Sequence, residues 1–143
     1  MEIRVMSIED YDQIYRLWIN TEGMGMRSLD DSFAGIDQFL KRNPRTNFVV
    51  QVGNEIIGVI LCGHDGRRGY IYHAAVRTKY REQGIGKALV NAALDALRIE
   101  KINKAALVAF AGNESGNRFW ESLGFAARND LVYRNLSINE MNT

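Results

Sequence analysis

Apolar and polar positions alternate along this chain in two rhythms, and the changes between them divide it into elements. Ile3 to Met6 reads as a short opening strand. Ser7 with Asp10 three residues on forms a variant of the capping box, which predicts a helix running to about Asn20. Its apolar residues Tyr11, Ile14, Tyr15, Trp18 and Ile19 recur at three- and four-residue spacing and so share one face. Thr21-Glu22-Gly23-Met24-Gly25-Met26 breaks that rhythm as a loop, and a second amphipathic helix is expected from Asp31 to Arg42.

The rhythm then shortens. Phe48 to Val52 and Glu55 to Gly63 read as two strands joined at Gly53-Asn54, a pair suited to the positive φ of a tight hairpin. A polar turn, His64 to Gly69, leads to a third strand, Tyr70 to Val76, so three consecutive strands are expected to pair antiparallel. Ile85, Leu89, Ala92, Ala93, Ala96 and Leu97 predict a long helix to about Lys101. Ala105 to Phe110 follows as a strand, Glu114 to Leu123 as a helix stopped by Gly124, and Val132 to Leu136 as a closing strand.

At 143 residues these elements make one domain, 1–143, with no repeat, low-complexity tract or linker. A formal charge of +1 gives no footprint for nucleic acid or an anionic membrane, so a small partner is expected. Cys62, the single cysteine, permits no internal disulfide and fits a reducing compartment. The first residues form no apolar leader, and no segment has the length of a membrane span, so a cytoplasmic location is expected.

The candidate chemistry lies between the third strand and the long helix. Arg81-Glu82-Gln83-Gly84-Ile85-Gly86 is a polar, glycine-bearing turn at a helix entrance. The first N–H groups of a helix lack internal partners and carry the positive end of its dipole, so such a turn attracts phosphate. Gly84 and Gly86 keep side chains out of the way. A dinucleotide fingerprint would need Gly or Ala where Leu89 stands, and a nucleotide P-loop would need Lys then Ser or Thr where Lys87-Ala88 stands. Both nucleotide readings weaken.

With Arg81, Gly84 and Gly86 on a strand–turn–helix, Asn113 after the next strand, and Gly124-Phe125 beyond it, the chain resembles the GNAT superfamily of N-acetyltransferases over essentially its whole length. The segment Gly63 to Gly69 also resembles a small bacterial subgroup, the YpeA type. The resemblance implies an α+β, three-layer fold. Its central sheet is mixed and mostly antiparallel with helices on both faces, in the order β-α-α-β-β-β-α-β-α-β-β.

It also implies acetyl-CoA as cosubstrate, with no metal. The backbone of Ala74, Ala75 and Val76 is then expected along the pantetheine arm, and Arg81, Gln83, Gly84, Ile85, Gly86 and Lys87 around the pyrophosphate. Asn113 matches a cofactor-contacting Asn and equally reads as a helix N-cap. Trp120 stands near the arm, where the family usually has a Tyr that protonates the leaving thiolate; an indole N–H is no such acid.

Tyr72, Tyr133 or Ser115 could supply that proton instead, or the thiolate could take it from water; of these Tyr72 is the candidate catalytic residue. His73 is expected on the opposite face by strand alternation, unless a bulge reverses it, and no carboxylate partner for it is visible. The acceptor is a primary amine of a small molecule or a peptide or protein N-terminus, its site built from Glu22 to Met26, the start of the second helix and the segment Asp130 to Tyr133. A homodimer is compatible with this reading. The rival is a CoA-binding sensor or interaction module with weak catalysis, suggested by the missing Tyr.

Overall fold

Of the face expected to be apolar on the first helix, Ile14 and Trp18 are inaccessible to solvent, whereas Tyr15 and Ile19 are exposed and Leu17 is buried in their place. The computed structural model describes residues 1–143. It consists of β1 (Glu2–Val5), α1 (Tyr11–Ile19), α2 (Phe33–Arg42), β2 (Phe48–Val52), β3 (Glu55–His64), β4 (Gly69–Val76), α3 (Ile85–Ile99), β5 (Ala105–Leu107) and α4 (Glu114–Ser122). The five strands stand in the order β1-β2-β3-β4-β5, antiparallel except for the parallel pair β4 and β5.

Two cores result, one on each face of the sheet. Ile14, Trp18, Ile36 and Leu40 of α1 and α2 pack on Val49, Val59 and Leu61. On the other face Ile85, Leu89, Val90 and Ala93 of α3 pack on Val50, Ile57, Ile60 and Ile71, with Phe119, Trp120 and Phe125 at the rim. This is the three-layer α+β arrangement that the resemblance implies.

Between Leu61/Cys62 of β3 and their partners on β4 the register shifts: Leu61 pairs with His73, but Cys62 pairs with Ile71. Tyr72 is the extra residue of a β-bulge, which reverses the alternation of side chains across it. Ile71 accordingly belongs to the α3 core, while Tyr72 packs on Phe39 of α2 and His73 on Trp18 of α1.

Beyond the reach of β2, the backbone of β3 is satisfied by side chains. The Cys62 amide donates to Oδ1 of Asn47 at 2.7 Å, Thr46 Oγ1 donates to the Cys62 carbonyl at 2.6 Å, and the His64 amide donates to Oδ1 of Asn43. These bonds tie the end of α2 to the sheet, because a buried peptide group without a partner is costly. Burial pushes the Cys62 thiol up to about 12. The native protein is expected to resist a disulfide-exchange thiol reagent at pH 8 and to react stoichiometrically in guanidinium; rapid native labelling would contradict this burial.

One expectation fails in the fold. The chain after α4 forms no strand, so the closing strands of the expected order, Val132 to Leu136 among them, are absent. Leu131, Val132, Tyr133 and Leu136 are exposed. A strand needs a partner edge, and β5 ends at Leu107. The tail is held at its far end instead: Oδ1 of Asn142 accepts from the amides of Leu29 and Asp30 at 3.0 Å, and Ser28 and Thr143 exchange further bonds.

Candidate acetyl-CoA site

None of the backbone amides from Glu82 through Lys87 donates to a protein acceptor; the first to do so is Ala88, to the Gly84 carbonyl at 3.0 Å. Glu82 has φ 62° and Gly84 has φ 80°. Left-handed residues separated by one other residue curl successive N–H groups inward into an anion-binding concavity, here at the start of α3. Arg81, Glu82, Gln83, Gly84 and Lys87 are exposed on this turn, whereas the Ile85 side chain is buried in the core and leaves only its amide to offer.

Each glycine has a distinct task. A side chain on Gly84 would meet nothing within 4 Å, but its left-handed backbone disfavours one. A Cβ on Gly86 would lie 3.1 Å from Cζ of Phe119, so that missing side chain lets α4 pack on α3. The turn fits a diphosphate: donors without partners, an open approach and cations at its border. Nε of Arg81 donates to the Val76 carbonyl at 2.9 Å, and Arg81 joins Arg16 and Arg77 on a cleft of about 660 Å³ beside the turn. Glu55 partners Arg77 there, leaving the cleft positive.

An extended arm has room next to this turn. The pairing of β4 with β5 ends at Ile71 and Leu107, yet β4 continues to Val76. From Tyr72 onward, including Ala74, Ala75 and Val76, β4 has no strand on its β5 side, although its other edge stays paired with β3. An unpaired strand edge offers amides and carbonyls to any extended chain bearing amide groups.

The loop after α1 crosses towards the end of β5. A Cβ on Gly23 would lie 3.1 Å from Nδ2 of Asn113, and one on Gly25 would lie 3.5 Å from Phe110. Asn113 caps α4, its Oδ1 accepting from the Gly116 amide at 3.1 Å. It thus fills the capping role while its amide nitrogen borders the loop.

Tyr70, Tyr72 and Tyr133 gather on the α2 side. The rings of Tyr70 and Tyr72 are 4.7 Å apart. Burial, then the neighbouring Tyr133 and Tyr72, raises the Tyr70 phenol; burial, then Asp30 and Tyr133, raises that of Tyr72. Both therefore keep their protons through neutral pH. Trp120 does not join them. It stacks edge-on between Phe119 at 5.0 Å and Phe125 at 5.3 Å, on the α3 side of the sheet.

His73 is the residue that strand alternation misplaces. The bulge turns it towards α1, where Nε2 lies 2.8 Å from Oδ1 of Asp31, a carboxylate partner 42 residues away in sequence. Only a signal for the bulge could have found it, and Tyr72-His73 carries none. No group of three His, Cys, Asp or Glu side chains stands close enough to hold a metal ion, and no helix is long and apolar enough to cross a membrane.

A family model described as "Acetyltransferase (GNAT) family" matches residues 11–125. The chain is 28% identical over 132 residues to acetyltransferase SG1711 of Sodalis glossinidius, covering 92% of each. Among solved structures it resembles a chain of the NatC complex bound to Gag peptide and CoA, with 26% identity and a TM-score of 0.72 over 88% of this chain and 86% of that one. The PaiA N-acetyltransferase of Thermoplasma acidophilum in complex with coenzyme A shares the fold, with a TM-score of 0.78 at 17% identity over 99% of this chain and 94% of that one.

Proposed function

The chain belongs to the acetyltransferase (GNAT) family, and on that premise we propose that it transfers acetyl from acetyl-CoA to a primary amine by direct attack. The observation that carries this reading is the run of unpartnered amides from Glu82 to Lys87 beside the open edge of β4. Acetyl-CoA supplies the activated thioester. Gln83, Gly84, Ile85, Gly86 and Lys87 hold its pyrophosphate, and Arg81 adds positive charge at the border. The edge of Ala74, Ala75 and Val76 aligns the pantetheine arm, while Asn113 and Trp120 border it from α4.

Catalysis then consists mainly of positioning and polarisation. The acceptor amine attacks neutral. An α-amine with pKa near 8 loses about 1 kcal/mol by deprotonating at pH 7, whereas a lysine amine near 10.4 loses roughly 4 to 5. Tyr70 and Tyr72 keep their protons through neutral pH and offer no base, which favours acceptors of the first kind, such as a peptide N-terminus. Tyr72 donates a hydrogen bond to the charge that develops on the thioester. Burial raises its phenol further above the range of a thiol, so full proton transfer from it to the thiolate is uphill. The thiolate therefore leaves and takes its proton from water.

The test is free-thiol release from acetyl-CoA against polyamines, amino acids, aminoglycosides and peptides with free N-termini. Turnover with at least one amine is expected. Tight acetyl-CoA binding with no release on any acceptor would replace this reading by the CoA-binding module. Tyr72→Phe is expected to lower kcat about tenfold, the usual scale for one hydrogen bond to developing charge, with acetyl-CoA affinity unchanged. An unchanged kcat would remove Tyr72 from the mechanism.

A further inference from the structure

The loop between α1 and α2 is anchored to β4 by a contact that acetyl transfer, as described, leaves without a role. Nε2 of His73 and Oδ1 of Asp31 are 2.8 Å apart, with side chains only 9% and 6% exposed. The other carboxylate oxygen of Asp31, Oδ2, accepts from the Arg27 amide at 2.7 Å, and its carbonyl accepts from the Tyr11 hydroxyl at 2.7 Å. One residue thus gathers β4, α1 and the loop. Trp18 closes over the imidazole edge-on, with 4.9 Å between ring centroids.

A buried histidine–carboxylate contact is often no better for stability than well-packed apolar residues of the same volume. The same corner holds Trp18 Nε1, the one buried side-chain nitrogen or oxygen without a hydrogen-bond partner. Polar choices that forgo stability concentrate where geometry must be specified. Here the geometry joins two things: the bulge that turns His73 inward is the one that seats Tyr72 beside it, so the His73–Asp31 contact sets how far residues 27–31 stand from Tyr72.

We propose that Asp31 and His73 are positioning residues for the acceptor, locking residues 27–31 onto the β4 bulge and so fixing how the loop stands against Tyr72. The inference rests on the assignment of acetyl transfer above. It adds that the acceptor loop is held in register with the reactive strand by a single buried contact, and that acetyl-CoA binding, at the turn before α3 and along Ala74 to Val76, is independent of it.

Three single variants and one double variant test this. His73→Ala and Asp31→Ala are expected to raise the KM of whichever panel amine the parent acetylates by about tenfold, and to leave the calorimetric Kd for acetyl-CoA within about twofold. The double variant should cost no more than either single one, since both remove the same contact. His73→Gln, whose amide N–H can still reach Asp31, should recover most of the loss. Hydrogen exchange at the Arg27 amide should accelerate about tenfold in the alanine variants.

Unchanged amine KM and unchanged exchange in both alanine variants would overturn the proposal, as would a parallel loss of acetyl-CoA affinity, the mark of a general core defect. If the parent binds acetyl-CoA but acetylates no amine, it is the transfer reading that fails. The exchange measurement then decides the lock by itself.

Discussion

Replacing Gly86 with glutamate is expected to weaken acetyl-CoA binding by roughly a hundredfold or more and to erase the thermal upshift that the cofactor gives the parent chain. Gly86 lies within the run of free amides at the start of α3, and its missing Cβ faces Phe119 at 3.1 Å and Val76 at 3.9 Å. A side chain there grows out between the turn and α4. A carboxylate there both disturbs the packing behind the free amides and brings a charge of the same sign as the diphosphate, and two decades of affinity correspond to roughly 2.7 kcal/mol. Gly86→Ala is the control: its one close contact is the tip of the Phe119 ring, which can give way, so most of the affinity should survive. Calorimetry on variants of intact melting temperature checks the pair, and a glutamate variant of parental affinity would place the pyrophosphate elsewhere.

Gly35→Ala is expected to destabilise the fold by about 3 kcal/mol, the upper part of the usual range for overpacking. An alanine Cβ at this position would lie 2.3 Å from the Leu29 carbonyl oxygen and 2.5 Å from that of Asp30. These are backbone atoms, held in turn by Ser32, which caps α2 through the Gly35 amide, and by Asn142 of the tail. They cannot rotate away as a side chain would. Because Ala in an ordinary helix is favoured over Gly by up to about 1 kcal/mol, a net loss isolates the collision. Thermal melts should fall by on the order of 10 °C. A variant as stable as the parent would show that residues 29–31 do not fold back on α2 as described, and with them the placement of Asp31 would fall.

The two substitutions probe parts of the molecule that differ in how openly the chain declares them. The phosphate turn is local. Its amides, its glycines and the helix that follows lie within a few residues of one another, so a stretch of six residues carries the whole device. Asn113 is similar, since a cap acts on amides only three residues away. The acceptor side is assembled from pieces far apart: Asp31 from before α2, His73 from β4, Tyr133 from the tail. Residue type says little there, because an aspartate at the start of a helix and a histidine in a strand each have an ordinary local explanation.

Trp120 and the tail mark the other limit. The Trp at the position of the family's Tyr was legible in the sequence, but the packing of the indole between Phe119 and Phe125 follows from how α4 docks on α3. The apolar spacing of Val132 to Leu136 suited a strand. Whether it became one depended on an edge, and β5 is only three residues long.

By itself, the order of residues determined the helices, four of the five strands nearly to their ends, the hairpin at Gly53-Asn54 and the anion turn that points to CoA. Each depends on periodicity or on hydrogen bonds among near neighbours. Only the tertiary structure decided which face His73 takes, that Asp31 meets it, and that β4 outruns β5 to leave an open edge. The physical reason is one extra residue at Tyr72: a bulge is a property of two paired strands, and its effect on side-chain direction exists only once the ladder that it interrupts has formed.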